Sequence, residues 1–134
     1  MASPEIKGTV LYIEDNADNR LLVKRVLLSE GYVLMEAKDA KEDLNALQGT
    51  RPDLILMDIR LPYEDGYGAL KKIRASNRLK SIPIIAVTAE ASTDQMNKAK
   101  NSGFDGFLGK PLDPDKFPDQ IRRILNGESV WEFS

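Results

Sequence analysis

Asp58 is a carboxylate set at the end of an apolar run, and three other stretches of the chain carry groups that could work with it. The run is Leu54-Ile-Leu-Met57, entered through Pro52-Asp53 and followed by the turn cluster from Pro62 to Gly66. Glu14 and Asp15 follow a second apolar run, Thr9-Val-Leu-Tyr-Ile13. Thr88 and Ala89 close a third, and Lys110-Pro111 follow Gly106-Phe-Leu-Gly109. The chain has no Cys and no His. Disulfides, thiolates, imidazole ligands and His-based triads are therefore excluded, and chemistry has to run on carboxylates, Lys, Ser, Thr or a hard cation.

The elements that must position these groups alternate two periods. The runs at 9–13, 54–58, 82–88 and 106–109 read as buried strands, with Pro83 near the start of its strand, where a missing donor is tolerated. Residues 32–37 form a weaker strand. Helical spacing places Leu22, Val23, Val26 and Leu27 on a helix from Asp18, stopped by Gly31. Asp39 caps a helix carrying Ala40, Leu44 and Leu47 and closed by Gly49. A helix from about Asp65 to Asn77 turns Leu70 and Ile73 inward. The segment from Ala91 to Ser102 offers only Met96 and Ala99 to a core, so it is expected to be weakly anchored, and Gly103 ends it. Asp113-Pro114 opens a last helix with Phe117, Ile121, Ile124 and Leu125, closed by Gly127.

Five strands alternating with five helices predict a flavodoxin-like, doubly wound parallel sheet of order 2-1-3-4-5 with helices on both faces. The 134 residues, 42% hydrophobic and 30% charged, make one domain over 9–126, an N-terminal extension over 1–8 and a tail over 127–134. Trp131 and Phe133 in that tail must dock or lie exposed. Nineteen basic against 21 acidic residues, a net charge of -2, leave no basic stripe for nucleic acid. No apolar run reaches membrane length, and residues 1–8 lack the apolar region of a signal peptide. The expectation is a cytoplasmic protein that contacts neither nucleic acid nor membrane.

The 2-1-3-4-5 order brings the first and third strands together, so Glu14, Asp15 and Asp58 converge on one rim. Like charges about 4 Å apart at an effective dielectric near ~20 repel by about 4 kcal/mol. Lys110 supplies one positive charge, and a divalent cation would supply the rest. With oxygen ligands alone and room for waters and a phosphate, Mg²⁺ suits the site better than Ca²⁺. Mg²⁺ held by carboxylates beside a Lys is an arrangement for phosphoryl transfer.

Taken in order, Glu14-Asp15, Asp58 with Pro62 and Gly66, Thr88-Ala89 and Lys110-Pro111 resemble the receiver domain of two-component response regulators over residues 9–126. Met57-Asp-Ile-Arg-Leu-Pro62 and Ile84-Ile-Ala-Val-Thr-Ala89 are most similar to receivers of phosphorelays and hybrid kinases and to stand-alone cell-fate regulators. The resemblance implies that Asp58 accepts a phosphoryl group from a phosphohistidine. It implies Mg²⁺ held by Asp15, Asp58 and the backbone carbonyl of Arg60, with Glu14 acting through a water. Lys110 and the Ala89 backbone would contact the phosphoryl oxygens, Thr88 would move toward one of them, and Phe107 would turn inward as it does. A cis Lys110-Pro111 peptide is also implied.

Each residue has a plainer reading. Glu14-Asp15-Asn16 could cap a helix, Thr88 could end a strand, Lys110 could be a solvated lysine and Phe107 a core residue. Asp58 is the hardest to explain without function. A phosphohydrolase with an Asp nucleophile would want a second Asp two residues later, where Arg60 stands, so hydrolysis of an acyl phosphate should be slow. A flavin carrier would need a phosphate loop that Glu14-Asp15-Asn16-Ala17-Asp18 would repel. The expected protein is a signalling phospho-acceptor, not a turnover enzyme, served by a histidine kinase or phosphotransfer protein and read by a downstream protein. The expected readout surface is the 91–102 helix, the 106–109 strand and the last helix, with the chain a monomer or weak homodimer. With no output domain after Gly127 a single-domain regulator is expected, the alternative being the receiver module of a hybrid histidine kinase.

Overall fold

The computed structural model describes residues 7–37, 51–60, 66–76 and 79–133. The expected Asp39 helix, the turn at Pro62 to Asp65 and the first six residues lie outside the described residues, whereas the helix expected to run to about Asn77 ends at Arg74. Six strands form one parallel sheet: β1 (Gly8–Ile13), β2 (Tyr32–Ala37), β3 (Leu54–Asp58), β4 (Ile84–Thr88), β5 (Gly106–Gly109) and β6 (Trp131–Glu132). Their order is β2-β1-β3-β4-β5-β6, so the expected doubly wound order is present with one strand added at the edge. The four described helices are α1 (Ala17–Ser29), α2 (Gly66–Arg74), α3 (Thr93–Ser102) and α4 (Phe117–Leu125).

Every residue of β3, β4 and β5 is buried, as the continuous apolar runs require of a sheet covered on both faces. Alternation sorts the strand side chains into two cores. Val10, Tyr12, Leu54, Leu56, Val87 and Leu108 pack with Val23 and Leu27 of α1 and Ile121 and Ile124 of α4. Leu11, Ile13, Ile55, Met57, Ala86 and Phe107 pack on the other face with Leu70 and Ile73 of α2 and Ala99 of α3. Ala99 is the one buried residue of α3, and Met96 is partly buried against the same cluster.

Local signals set most of the helix ends. Asn16 accepts the Asn19 N–H at 3.0 Å and starts α1 one residue before Asp18. Gly31, at φ +91°, turns the chain out of it. Ser92 caps α3 through the Gln95 N–H at 3.2 Å, and Gly103, at φ +105°, closes it.

Two expectations are corrected, and the choice left open for the tail is decided in favour of docking. The last helix begins at Phe117, not after Asp113-Pro114. Pro118 has no N–H to give the Pro114 carbonyl, and residues 113–116 form a separate turn in which Asp113 accepts the Asp115 N–H at 2.9 Å. Leu22 is 38% exposed, because α1 meets the sheet through Val23 and Leu27, with Val26 partly buried beside them. The tail is part of the sheet: Trp131 pairs with Phe107 and Glu132 with Leu108.

Candidate functional site

Parallel pairing carries the chemical groups to one edge. Ile13 lies opposite Met57, Asp58 opposite Val87, and Thr88 opposite Gly109, so the residues that end or follow β1, β3, β4 and β5 share the C-terminal rim of the sheet. Open α/β sheets form ligand crevices at that rim, where the strand order reverses between β1 and β3. Gly66 lets α2 start tightly behind Asp58: a Cβ there would lie 2.9 Å from Ile59 Cα. Its N–H donates to the Ile59 carbonyl at 2.7 Å.

Glu14 and Asp58 are buried, at 1% and 6% exposure, whereas Asp15 faces solvent. One carboxylate oxygen from each of the three lies within 4.8 Å of the others. Lys110 Nζ donates to Asp58 Oδ2 at 2.7 Å and also to Glu14 Oε2. Asp58 Oδ1 accepts the Arg60 N–H at 3.0 Å. Glu14 is held further by the Tyr12 hydroxyl at 3.1 Å and the Asn16 N–H at 3.1 Å, and Arg20 donates to its backbone carbonyl at 2.6 Å.

These contacts set the protonation of the site. Burial pushes the Lys110 ammonium down, but hydrogen bonds to Asp58 and Glu14 outweigh it and hold the group above the usual lysine range. Burial, reinforced by the Glu14 charge, pushes the Tyr12 hydroxyl far up, so it remains a donor. Three carboxylates against one ammonium leave an excess of negative charge beside open solvent. All three acidic side chains offer oxygen, the donor that small hard cations prefer, so the residues present fit Mg²⁺.

The remaining site residues line the rim. Thr88 is buried, and its hydroxyl accepts the Glu90 N–H at 3.1 Å. Ala89 is exposed beside it. The Arg60 side chain extends into solvent and pairs with Glu90, joining the loops after β3 and β4. Phe107 is fully buried three residues before Lys110, and the Lys110-Pro111 peptide is cis.

Tyr12 and Glu90 were not singled out as site residues in the sequence. Tyr12 was legible in principle, since residues two apart on a strand share a face and it stands two before Glu14. Glu90 had no local signal: its partner Arg60 is thirty residues away.

The model of the response regulator receiver domain family matches residues 10–122. The polar-differentiation response regulator DivK of Brucella anthropi is 32% identical over 117 residues, covering 87% of this chain and 95% of its own length. Among solved structures, the chemotaxis response regulator CheY4 of Vibrio cholerae superposes with a TM-score of 0.81 at 30% identity, covering 87% of this chain and 97% of its own. The receiver domain of the sensor histidine kinase PA1611 from Pseudomonas aeruginosa, with a magnesium ion coordinated in its active-site cleft, gives a TM-score of 0.79 at 32% identity, covering 90% and 98%. A parallel sheet of this order, with this acidic cluster at its C-terminal rim, is the flavodoxin-like arrangement that these structures share. The chain belongs to the response regulator receiver domain family.

Proposed function

We propose that Asp58 accepts a phosphoryl group from a phosphohistidine on a histidine kinase or phosphotransfer protein. A carboxylate oxygen of Asp58 forms the new bond to phosphorus as the N–P bond breaks, and that electron pair stays on the imidazole nitrogen. The observation that carries this reading is the Lys110 ammonium bonded to two buried carboxylates, with Asp15 alongside, at the C-terminal rim of the sheet.

Asp15, Asp58 and the Arg60 backbone carbonyl would hold Mg²⁺, with Glu14 engaged through a water. The ion would supply positive charge to the transferring phosphoryl oxygens. Lys110 remains charged and within reach of Asp58, so it can follow the new phosphoryl oxygens. The Thr88 hydroxyl and the Ala89 N–H take two of those oxygens. Thr88 must first release the Glu90 N–H that it now accepts, and Phe107 secures the inward position as Thr88 moves. Arg60 stands where a hydrolase would carry its acid, so the acyl phosphate persists and the domain works as a timed signal.

A downstream protein reads the phosphorylated state in the cytoplasm, where the chain acts as a monomer or weak dimer. Among the described residues no helix is long and apolar enough to cross a membrane. A second reading, the receiver module of a hybrid kinase, draws on the similarity to the sensor-kinase receiver. The test is beryllofluoride binding with Mg²⁺, followed by fluorine NMR. A bound resonance that requires Mg²⁺ and disappears in Asp58→Asn supports the reading; a resonance retained in Asp58→Asn overturns it.

A further inference from the structure

The edge strand β5 is not bare. Gly127, at φ +91°, turns the chain out of α4, and residues 128–133 return along β5. The Phe107 N–H donates to the Val130 carbonyl at 2.8 Å, and Val130 is buried in the α1/α4 core.

Side chains on both sides hold this segment. The Lys100 ammonium of α3 sits 4.9 Å from the Trp131 ring centroid. Glu132 accepts from Arg123 Nη2 at 2.9 Å and from Gln120 Nε2 at 2.9 Å. Gln120 is itself 1% exposed, so Glu132 satisfies a buried amide. Phe133 meets Phe107 edge to face, with centroids 6.4 Å apart.

The sequence of β5 is shaped to receive it. A Cβ on Gly106 would lie 2.6 Å from the Val130 carbonyl oxygen, and one on Gly109 would collide with the Phe133 carbonyl. Only a glycine at each end of Phe-Leu allows so close an approach.

We propose that residues 128–133 are a tethered strap on the β5 edge, which a partner pairing with that edge must displace, and whose docking holds Phe107 inward. Trp131 and Phe133 pack beside Phe107 and close its way out between β5 and α3. An outward ring and a docked strap are therefore incompatible. Linkage then works in both directions: whatever draws Phe107 inward tightens the strap, and lifting the strap frees the ring. The link to Asp58 rests on the receiver reading above; the occupancy of the edge does not. A competitor for the edge would be an extended segment that presents an aromatic side chain to Lys100 and a carboxylate to Arg123 and Gln120.

Trp131 is the one tryptophan of the chain, so its fluorescence reports the strap directly. Acrylamide should quench wild-type Trp131 several-fold less than Trp131 in Glu132→Ala or in Gly106→Ala, which removes an anchor or obstructs the approach. Equal quenching in wild type and both folded variants overturns the strap. Mg²⁺ and beryllofluoride should then return Trp131 of Glu132→Ala toward wild-type protection, whereas a strand that merely covers the sheet edge would not respond. A bound beryllofluoride resonance with unchanged quenching overturns the coupling. No bound resonance in any variant overturns the receiver reading and the coupling with it, and the comparison of Glu132→Ala with wild type alone decides the strap.

Discussion

Among the described residues Lys110 is the one cation that touches both buried carboxylates of the site, at 14% side-chain exposure. Without it Glu14 and Asp58 face each other uncompensated, and breaking a buried pair of this kind costs about 3 kcal/mol. Lys110→Ala should therefore lose roughly that much stability in urea titrations with chelator present, and Mg²⁺ should restore part of it, since a cation relieves the same repulsion. A loss that is small and indifferent to Mg²⁺ would mean that Lys110 is not the counter-charge. Asp58 was legible as anomalous because an apolar strand gains nothing by ending on a charge. The bonds that organise Glu14 were less legible. They depend on Tyr12 on the inner face of β1 and on Asn16 in the turn, and neither residue type alone announces such a role.

At the scale of elements, α3 and β6 are the pieces whose attachment can be measured. Gly103 closes α3 at φ +105°, and the nearest atom to an added Cβ would be Leu70 Cδ2 at 3.9 Å, so a substitution there meets strain in the backbone and no clash. Gly103→Ala should lower stability by about 1–2 kcal/mol, read from the shift of the denaturant midpoint. The attachment of β6 should depend on pH. Hydrogen bonding from Gln120 lowers Glu132, burial opposes this, and Arg123 with the more distant Lys116 adds to the lowering.

A depressed carboxylate contributes its stabilisation above the ordinary glutamate value of about 4.3, and loses it as pH falls through the lower folded value. Arg123, held above its ordinary value chiefly by its hydrogen bond to Glu132, stays charged over that range. Asp119, 3.0 Å from Arg123 Nε, competes for the same guanidinium. Trp131 quenching should therefore rise on acidification while the fold is intact, and Glu132→Ala should show a flatter response. A wild-type profile identical to that of Glu132→Ala would remove Glu132 as the anchor.

Across the whole molecule, the sheet was readable because strands buried on both faces appear as unbroken apolar runs, as in Leu54-Ile-Leu-Met57 and Ile84-Ile-Ala-Val87. The sixth strand was not readable. Two residues held by backbone pairing and by partners on α3 and α4 leave no period in the sequence, and Trp131 and Phe133 showed only that something apolar had to be placed. The start of α4 was misread for a different reason: Asp113 does cap a turn, but Pro118 displaces the regular helix to Phe117. The rim was legible as a set, since the acidic pair, Asp58, Thr88 and Lys110 each stand at or just beyond a strand end, and parallel order brings those ends together.

The function proposed for this rim is that of a phosphoryl acceptor centred on Asp58. Its most direct test is intact-protein mass spectrometry after incubation with a small-molecule phosphodonor, with and without Mg²⁺, on wild type and Asp58→Asn. The wild type should gain one phosphoryl group, dependent on Mg²⁺ and absent from Asp58→Asn. Equal modification of Asp58→Asn, or none on a folded wild type with Mg²⁺ present, would contradict it.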